Sequence, residues 1–140
     1  MILLDTDVVS EPLRTAPDPA VVAWLDAQPA ESLFLSTISI GELLLGVAIM
    51  PQGRRRTYLR TALEDRIVRL FAGRIVDFDL AAAQRYAEVV ATARRKGTPI
   101  GVADGQIAAI AAAHGFAVAT RVEGPFHAAG VPVINTWAAG

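Results

Sequence analysis

Ile2-Leu3-Leu4-Asp5-Thr6-Asp7-Val8-Val9 is the stretch on which the fold reading turns. Three consecutive apolar residues running into two acids read as a short buried strand whose carboxyl end carries charge. A carboxylate placed directly after a buried strand has little structural reason to be acidic, so Asp5 reads as a functional residue. Asp7 has a plainer alternative as a helix N-cap, because Thr6-Asp7 precedes Val8-Val9.

Outward from this stretch, short strands alternate with helices. Asp18 caps a helix with Pro19 at its first position, running to about Ala27 with Val21, Val22 and Leu25 inward. Leu33-Phe34-Leu35 is a second strand, and Ser39 is the expected N-cap of a helix from Ile40 to Met50. Pro51-Gln52-Gly53 breaks the chain before a longer helix from Arg54 to Leu70, with Tyr58, Leu59, Leu63, Ile67 and Leu70 at helical spacing. Ile75-Val76 begins a third strand. Asp79 caps an Ala-rich helix that ends near Lys96-Gly97, and another helix spans Val102 to Ala113 before His114-Gly115. Phe116–Ala119 and Val131–Ile134 complete five strands. The alternation predicts an α/β fold, a single domain with a short central parallel sheet of about five strands flanked by helices. In such sheets ligands bind beyond the carboxyl ends of the strands.

Composition narrows the function. The 140 residues fit one domain with a substantial core, and 53% hydrophobic against 19% charged residues excludes a disordered chain. With no cysteine there are no disulfides, thiolate zinc sites or cysteine nucleophiles. A mean hydropathy of +0.40 is high, yet no run reaches the ~20 apolar residues of a membrane span, so apolar surface is expected to be covered by a partner or second copy. Met1 leads directly into strand-like residues, leaving no room for a signal peptide, and the chain reads as cytoplasmic with no membrane partner. The net charge of −1 argues against a protein that merely coats nucleic acid. Arg54, Arg55, Arg56 and Arg60 cluster either as a solvated helix face or as contacts to an RNA backbone.

Three acids from distant segments stand beside apolar elements: Asp5 after the first strand, Glu42 in the first turn or so of the helix after the second, and Asp104 near the start of a later helix. Gathering carboxylates is unfavourable because they repel and lose water, and a divalent cation reverses that balance. Glu42 and Asp104 each have an alternative as surface acids favoured by a helix dipole. His114 and His127 lack metal-ligand spacing and read as structural or surface residues.

The order of these motifs is more specific than any one of them. Leu3-Leu4-Asp5-Thr6-Asp7-Val8-Val9-Ser10-Glu11 resembles the opening of the PIN domain nucleases, where a hydrophobic strand runs into Asp-Thr-Asn-Val. Ile38-Ser39-Ile40-Gly41-Glu42-Leu43 resembles their second motif, and Ala103-Asp104-Gly105-Gln106-Ile107-Ala108-Ala109 their third. Val118-Ala119-Thr120-Arg121 resembles the strand leading to their fourth acidic position, and Gly130-Val131-Pro132-Val133-Ile134-Asn135 their ending. The resemblance covers residues 1–140 as one PIN domain and is nearest to VapC-type toxins of type II toxin–antitoxin pairs, including the FitB-like branch. It implies a Mg²⁺- or Mn²⁺-dependent ribonuclease, held inactive by a cognate antitoxin and acting as a homodimer or within a larger toxin–antitoxin assembly. Carried over, Asp5 and Asp104 are direct metal ligands. Glu42 holds the metal directly or through water and orients the attacking water, and Thr6 and Thr120 support the cluster by hydrogen bonds. The groove for the antitoxin's tail would involve Val47, Ile49, Met50, Leu59 and Leu63, each with an alternative place in the chain's own core.

Two departures stand out. Asp7 occupies the place of the family's usual Asn and adds charge. Val122 stands where the family usually places Asp or Asn, with Glu123 next to it as a substitute if the local turn differs. A catalytically weakened module that binds RNA or antitoxin without cleavage is therefore an alternative. The other is a haloacid-dehalogenase-like phosphatase, whose Asp-x-Asp-x-Val opening fits Asp5-Thr6-Asp7-Val8-Val9. That chemistry wants a downstream Lys and an acidic pair, whereas Lys96 is the only lysine and no Asp-Asp pair follows it.

Overall fold

The computed structural model describes residues 1–137, so the last three positions of the expected 1–140 domain lie outside them. Five strands form one sheet: β1 (Ile2–Leu4), β2 (Leu33–Ser36), β3 (Ile75–Val76), β4 (Ala117–Ala119) and β5 (Val133–Ile134). All pairings are parallel, in the order β3-β2-β1-β4-β5. The expected α/β class with a five-stranded parallel sheet is what the chain forms. From the central β1 the chain moves outward on one side and returns on the other, so the topological switch lies between β1 and β4.

Strand alternation sends the apolar side chains to two cores. Leu3, Val118 and Phe34 join the cluster that includes Ile107, Ile110 and Phe126. Leu4, Leu33, Leu35 and Ala119 join the one that includes Val8, Val21 and Phe71. The first core is roofed by α6 (Leu80–Arg95) and α7 (Val102–His114). α7 buries Gly105, Ile107, Ala108, Ala109, Ile110 and Ala111, a helix apolar nearly all round because it is covered by the sheet on one side and α6 on the other. A Cβ at Gly105 would sit 3.1 Å from Tyr86 and Val90 of α6, so the absent side chain sets the close approach of the two helices. Gly105→Val is expected to destabilise the protein by about 1–3 kcal/mol through overpacking, read as a lowered urea midpoint with an unchanged slope.

The capping signals of α2 (Pro19–Ala27) and α6 hold: Asp18 accepts from the Ala20 amide at 2.9 Å and Asp79 from the Ala82 amide at 3.0 Å. The α3 boundary needs correction. α3 spans Thr37–Ala48 and is capped by Ser36, whose Oγ accepts the Ser39 amide at 3.1 Å. Two serines three apart offer competing caps, and tertiary burial decides between them, because Ser39 is packed inward with no exposed surface. Glu42 therefore lies in the second turn, not the first. The long helix is also not regular. α4 (Arg54–Thr61) passes through a π-helical stretch (Ala62–Ile67) into α5 (Val68–Leu70). Leu59, Leu63, Ile67 and Phe71 recur every fourth residue, slightly longer than an α-turn, and the wider turn keeps them on one side. Of the expected inward residues, Tyr58 and Leu70 are exposed. β5 starts later than expected because the Val131 amide turns back to the Phe126 carbonyl. The helix weighed after Asp7 forms as α1 (Thr6–Ser10), starting two residues earlier than a cap at Asp7 would place it, and a further helix, α8 (Glu123–Ala128), went unforeseen.

Candidate active site

The register of the sheet builds the site. Leu4 pairs with Leu35 on one side and Ala119 on the other, so the next residues, Asp5, Ser36 and Thr120, form a row at the carboxyl edge. Alternation turns this row toward the α7 side, the side of Leu3 and Val118. All three are buried, Asp5 retaining only 5% of its exposure. Asp5 is fixed from three directions. Its own amide donates to the Ala119 carbonyl at 2.9 Å, the Thr6 amide donates to Oδ1 at 2.8 Å, and the Thr120 hydroxyl donates to Oδ2 at 2.8 Å. Thr120 in turn accepts the Val122 amide at 3.1 Å.

Asp5, not Asp7, is thus the cap of α1. Asp7 sits in the first turn, where Oδ2 accepts the Arg121 amide at 3.1 Å while Oδ1 is buried without a hydrogen-bond partner among the described residues. The second layer comes from α3. Ser39 and Glu42, three apart, share a helix face. The Thr6 hydroxyl donates to Glu42 Oε1 at 2.7 Å and lies 3.0 Å from Ser39 Oγ. Asp104 enters from the first turn of α7.

Electrostatics ties Asp5, Asp7 and Asp104 together. Burial, then the charge of Asp7 and more weakly that of Asp104, pushes the Asp5 carboxyl up to about 7, against the pull of the Thr120 and Thr6 hydrogen bonds. Burial raises the Asp7 carboxyl, with the Arg121 amide and the Arg121 charge among the opposing influences. Asp104 is raised by burial and by the neighbouring Glu42 and Asp7. Asp5, Asp7 and Asp104 each sense a charged group more than thirty residues away in sequence. The convergence is one of mutual electrostatic reach: among the described residues no set of three His, Cys, Asp or Glu side chains is gathered tightly enough to hold a metal ion as it stands. The donor chemistry is uniform, all oxygen and mostly anionic, which suits a hard divalent cation and not a thiophilic one.

Of the residues singled out from sequence, Asp5, Thr6, Asp7, Glu42, Asp104 and Thr120 are brought together. Glu123 is not. It opens α8, where Oε2 accepts from Asn135 at 3.0 Å and Oε1 lies 3.8 Å from His127 Nε2. The Val122 side chain is half exposed, and its backbone amide is what reaches the site. Ser36 and the Arg121 amide were missed. The Ser36-Thr37-Ile38-Ser39 spacing, a cap three residues before another hydroxyl, was the available signal for the first.

A groove of about 250 Å³ leads away from Glu42 between α3 and α4, lined by Leu43, Val47, Met50, Leu59 and Leu63, with Arg14 and Arg55 at its rim. Of the five residues expected here, Val47 and Leu63 are buried, and Ile49 lies outside the groove, 76% exposed. Arg55 donates to the Leu13 carbonyl, so one member of the arginine cluster has a structural task.

Residues 2–129 match the PIN domain. The chain belongs to the PIN domain family. Over 137 residues this PIN domain is 52% identical to VapC ribonuclease Y4jK of Sinorhizobium fredii, covering 98% of each chain. It is 50% identical over 137 residues to Toxin FitB of Neisseria gonorrhoeae, covering 98% of this chain and 99% of that one. The crystal structure of FitAcB from Neisseria gonorrhoeae matches with a TM-score of 0.93 at 50% identity, again over 98% and 99% of the two chains. The expected kinship to VapC and FitB holds, and the dehalogenase-like alternative falls with it. Among the described residues no helix is long and apolar enough to cross a membrane.

Proposed function

We propose that the chain is a metal-dependent ribonuclease toxin, acting in the cytoplasm as one PIN domain over residues 1–140 and restrained by a cognate antitoxin. The observation that carries the reading is Asp5: a carboxylate buried at the carboxyl end of the central strand, raised to about 7 by burial and by facing Asp7 and Asp104. Unpaired buried charge of this kind is costly and calls for a cation. Asp5 and Asp104 would hold a Mg²⁺ or Mn²⁺ ion, with Glu42 holding it directly or through water. Such an ion supplies Lewis acidity at the phosphoryl oxygens and activates water for in-line attack. The chain's own contribution is positional. Thr120 and the Thr6 amide fix the Asp5 carboxylate, Thr6 fixes Glu42, and the Arg121 amide fixes Asp7. Glu42, exposed and held at Oε1 by Thr6, is placed to orient the attacking water.

The names of the relatives, a ribonuclease and a toxin, support the same reading. The groove beside Glu42 suits the extended or helical apolar tail of an antitoxin, and the exposed Leu45 and Ile49 of α3 suit contact with a second copy in a homodimer or a larger toxin–antitoxin assembly. One observation favours a second reading, a module that binds without cleaving: Val122 places no acid at the site, and Glu123 is engaged with Asn135 and His127. Calorimetric titration of Mg²⁺ and then Mn²⁺ into antitoxin-free protein, with a labelled structured RNA incubated in parallel, separates the two. The ribonuclease reading expects ion binding and cleavage that EDTA abolishes. Binding without cleavage would establish the second reading, and absence of both would sink the metal site.

A further inference from the structure

A cluster of carboxylates repels the phosphates it is meant to cleave, so the ribonuclease reading, on which this inference rests, requires a cation at the rim of the site. Arg121 stands there. Its neighbour Thr120 bonds Asp5, and its own amide bonds Asp7. Its charge reaches both Asp7 and Glu11, opposing the rise that burial causes at the first and adding to the lowering that the Asp18 amide causes at the second. The side chain is exposed, and its guanidinium lies over the Trp137 ring, 5.2 Å from the centroid. Trp137 is itself packed against the core containing Leu4 and Val8, which makes the indole a fixed bed for the cation. Among the described residues the guanidinium has no hydrogen-bond acceptor and no ion-pair partner, whereas Arg14, the other cation near Glu11, is bound to that carboxylate at 3.2 Å. A planar group held by one face, with its N–H edge unspent, is arranged to receive a phosphate in bidentate fashion.

We propose that Arg121, seated on Trp137, is an RNA-contact residue that binds a single-stranded phosphodiester group next to the one cleaved. The indole limits the guanidinium's motion, so little freedom is lost on contact. Lysine would keep the charge but neither the stack nor the fork.

The test uses the Asp5→Asn protein, expected to hold RNA while cutting it about 10³-fold more slowly, in Mg²⁺ with a fluorescent single-stranded RNA oligonucleotide over a salt series. Adding Arg121→Ala is expected to weaken binding about fivefold to tenfold and to reduce the slope of log affinity against log salt by about 0.7, the loss of one phosphate contact. Arg121→Lys is expected to keep the slope and recover only part of the affinity, with the melting temperature of all three proteins alike. Unchanged affinity and slope in Arg121→Ala would overturn the assignment, as would an affinity loss that follows a fall in melting temperature with the slope intact. Failure of the Asp5→Asn parent to bind RNA, together with absence of cleavage by the unsubstituted protein, would overturn the ribonuclease reading itself.

Discussion

Asp5→Asn is expected to lower the rate of RNA cleavage about 10³-fold, in the range seen when one charge-stabilising group is removed from an active site, while raising the melting temperature of the metal-free protein above pH 7. Both effects come from one property. Asp5 is nearly inaccessible to water and faces two other acids, so its charge is unfavourable unless a cation shares it. Asparagine has the same shape and keeps an oxygen for the Thr6 amide, which preserves the cap of α1. What it removes is the negative charge, the quantity the metal needs and the metal-free fold does not. Initial rates on a labelled RNA at saturating Mn²⁺ measure the first effect, and thermal unfolding in EDTA the second. An Asp5→Asn protein that cleaves at the full rate would sink the assignment of Asp5 as a ligand. Loss of activity with a lowered melting temperature would instead make Asp5 a structural residue.

The features legible in the sequence were those that a local pattern determines. Ile2-Leu3-Leu4 ahead of Asp5 marks a buried strand with a polar end, and strand alternation alone places Asp5 on the α7 side. Asp18 and Asp79 cap helices with partners two and three residues away, so their roles were visible without the fold. Ser39 shows where such reasoning stops. Ser36 and Ser39 are both competent caps, and the choice rests on Ser39 facing Thr6, thirty-three residues away. The same holds for Asp7. A cap before Val8-Val9 was a sound local reading, but Asp5 takes that task and Asp7 spends an oxygen on the Arg121 amide, 114 residues distant. Glu123 was weighed as a substitute for the acid missing at position 122, and the unforeseen α8 carries it to Asn135 and His127 instead. Gly124 and Pro125 hide that helix from sequence, since Pro is tolerated in a first turn yet reads as a breaker elsewhere. The π-helical stretch after Thr61 escaped notice for a similar reason: the four-residue recurrence of Leu59, Leu63 and Ile67 fits an α-helix until its drift is summed.

Metal removal is expected to invert the usual pH dependence of stability. In EDTA, the protein should be most stable near pH 4 and lose stability steadily toward pH 7.5. Asp5 titrates from 3.8 when unfolded to about 7 when folded, so between those values the folded chain holds a proton that the unfolded chain has released. Stability falls with rising pH wherever the folded state binds more protons. The Asp5 contribution is therefore fully present below pH 3.8 and lost as the pH climbs through about 7, and the raised carboxyls of Asp7 and Asp104 act in the same direction. At 1.36 kcal/mol per unit, Asp5 alone sets a ceiling of about 4 kcal/mol on the loss. Glu11 works the other way. Its carboxyl is lowered from 4.5 by the Asp18 amide and Arg14, so its contribution is present above pH 4.5 and lost below, which places the maximum near pH 4 and not at the acid extreme. Saturating Mg²⁺ should cancel most of the loss above pH 7, because an ion that binds only the folded state adds stability in proportion to the logarithm of its concentration over its dissociation constant. Urea midpoints from pH 4.5 to 8, with EDTA and with Mg²⁺, read both arms. Stability in EDTA that rises from pH 5 to 7.5 would mean that these carboxylates are better solvated than their burial implies. The same falling curve with and without Mg²⁺ would mean that they repel one another but bind no ion.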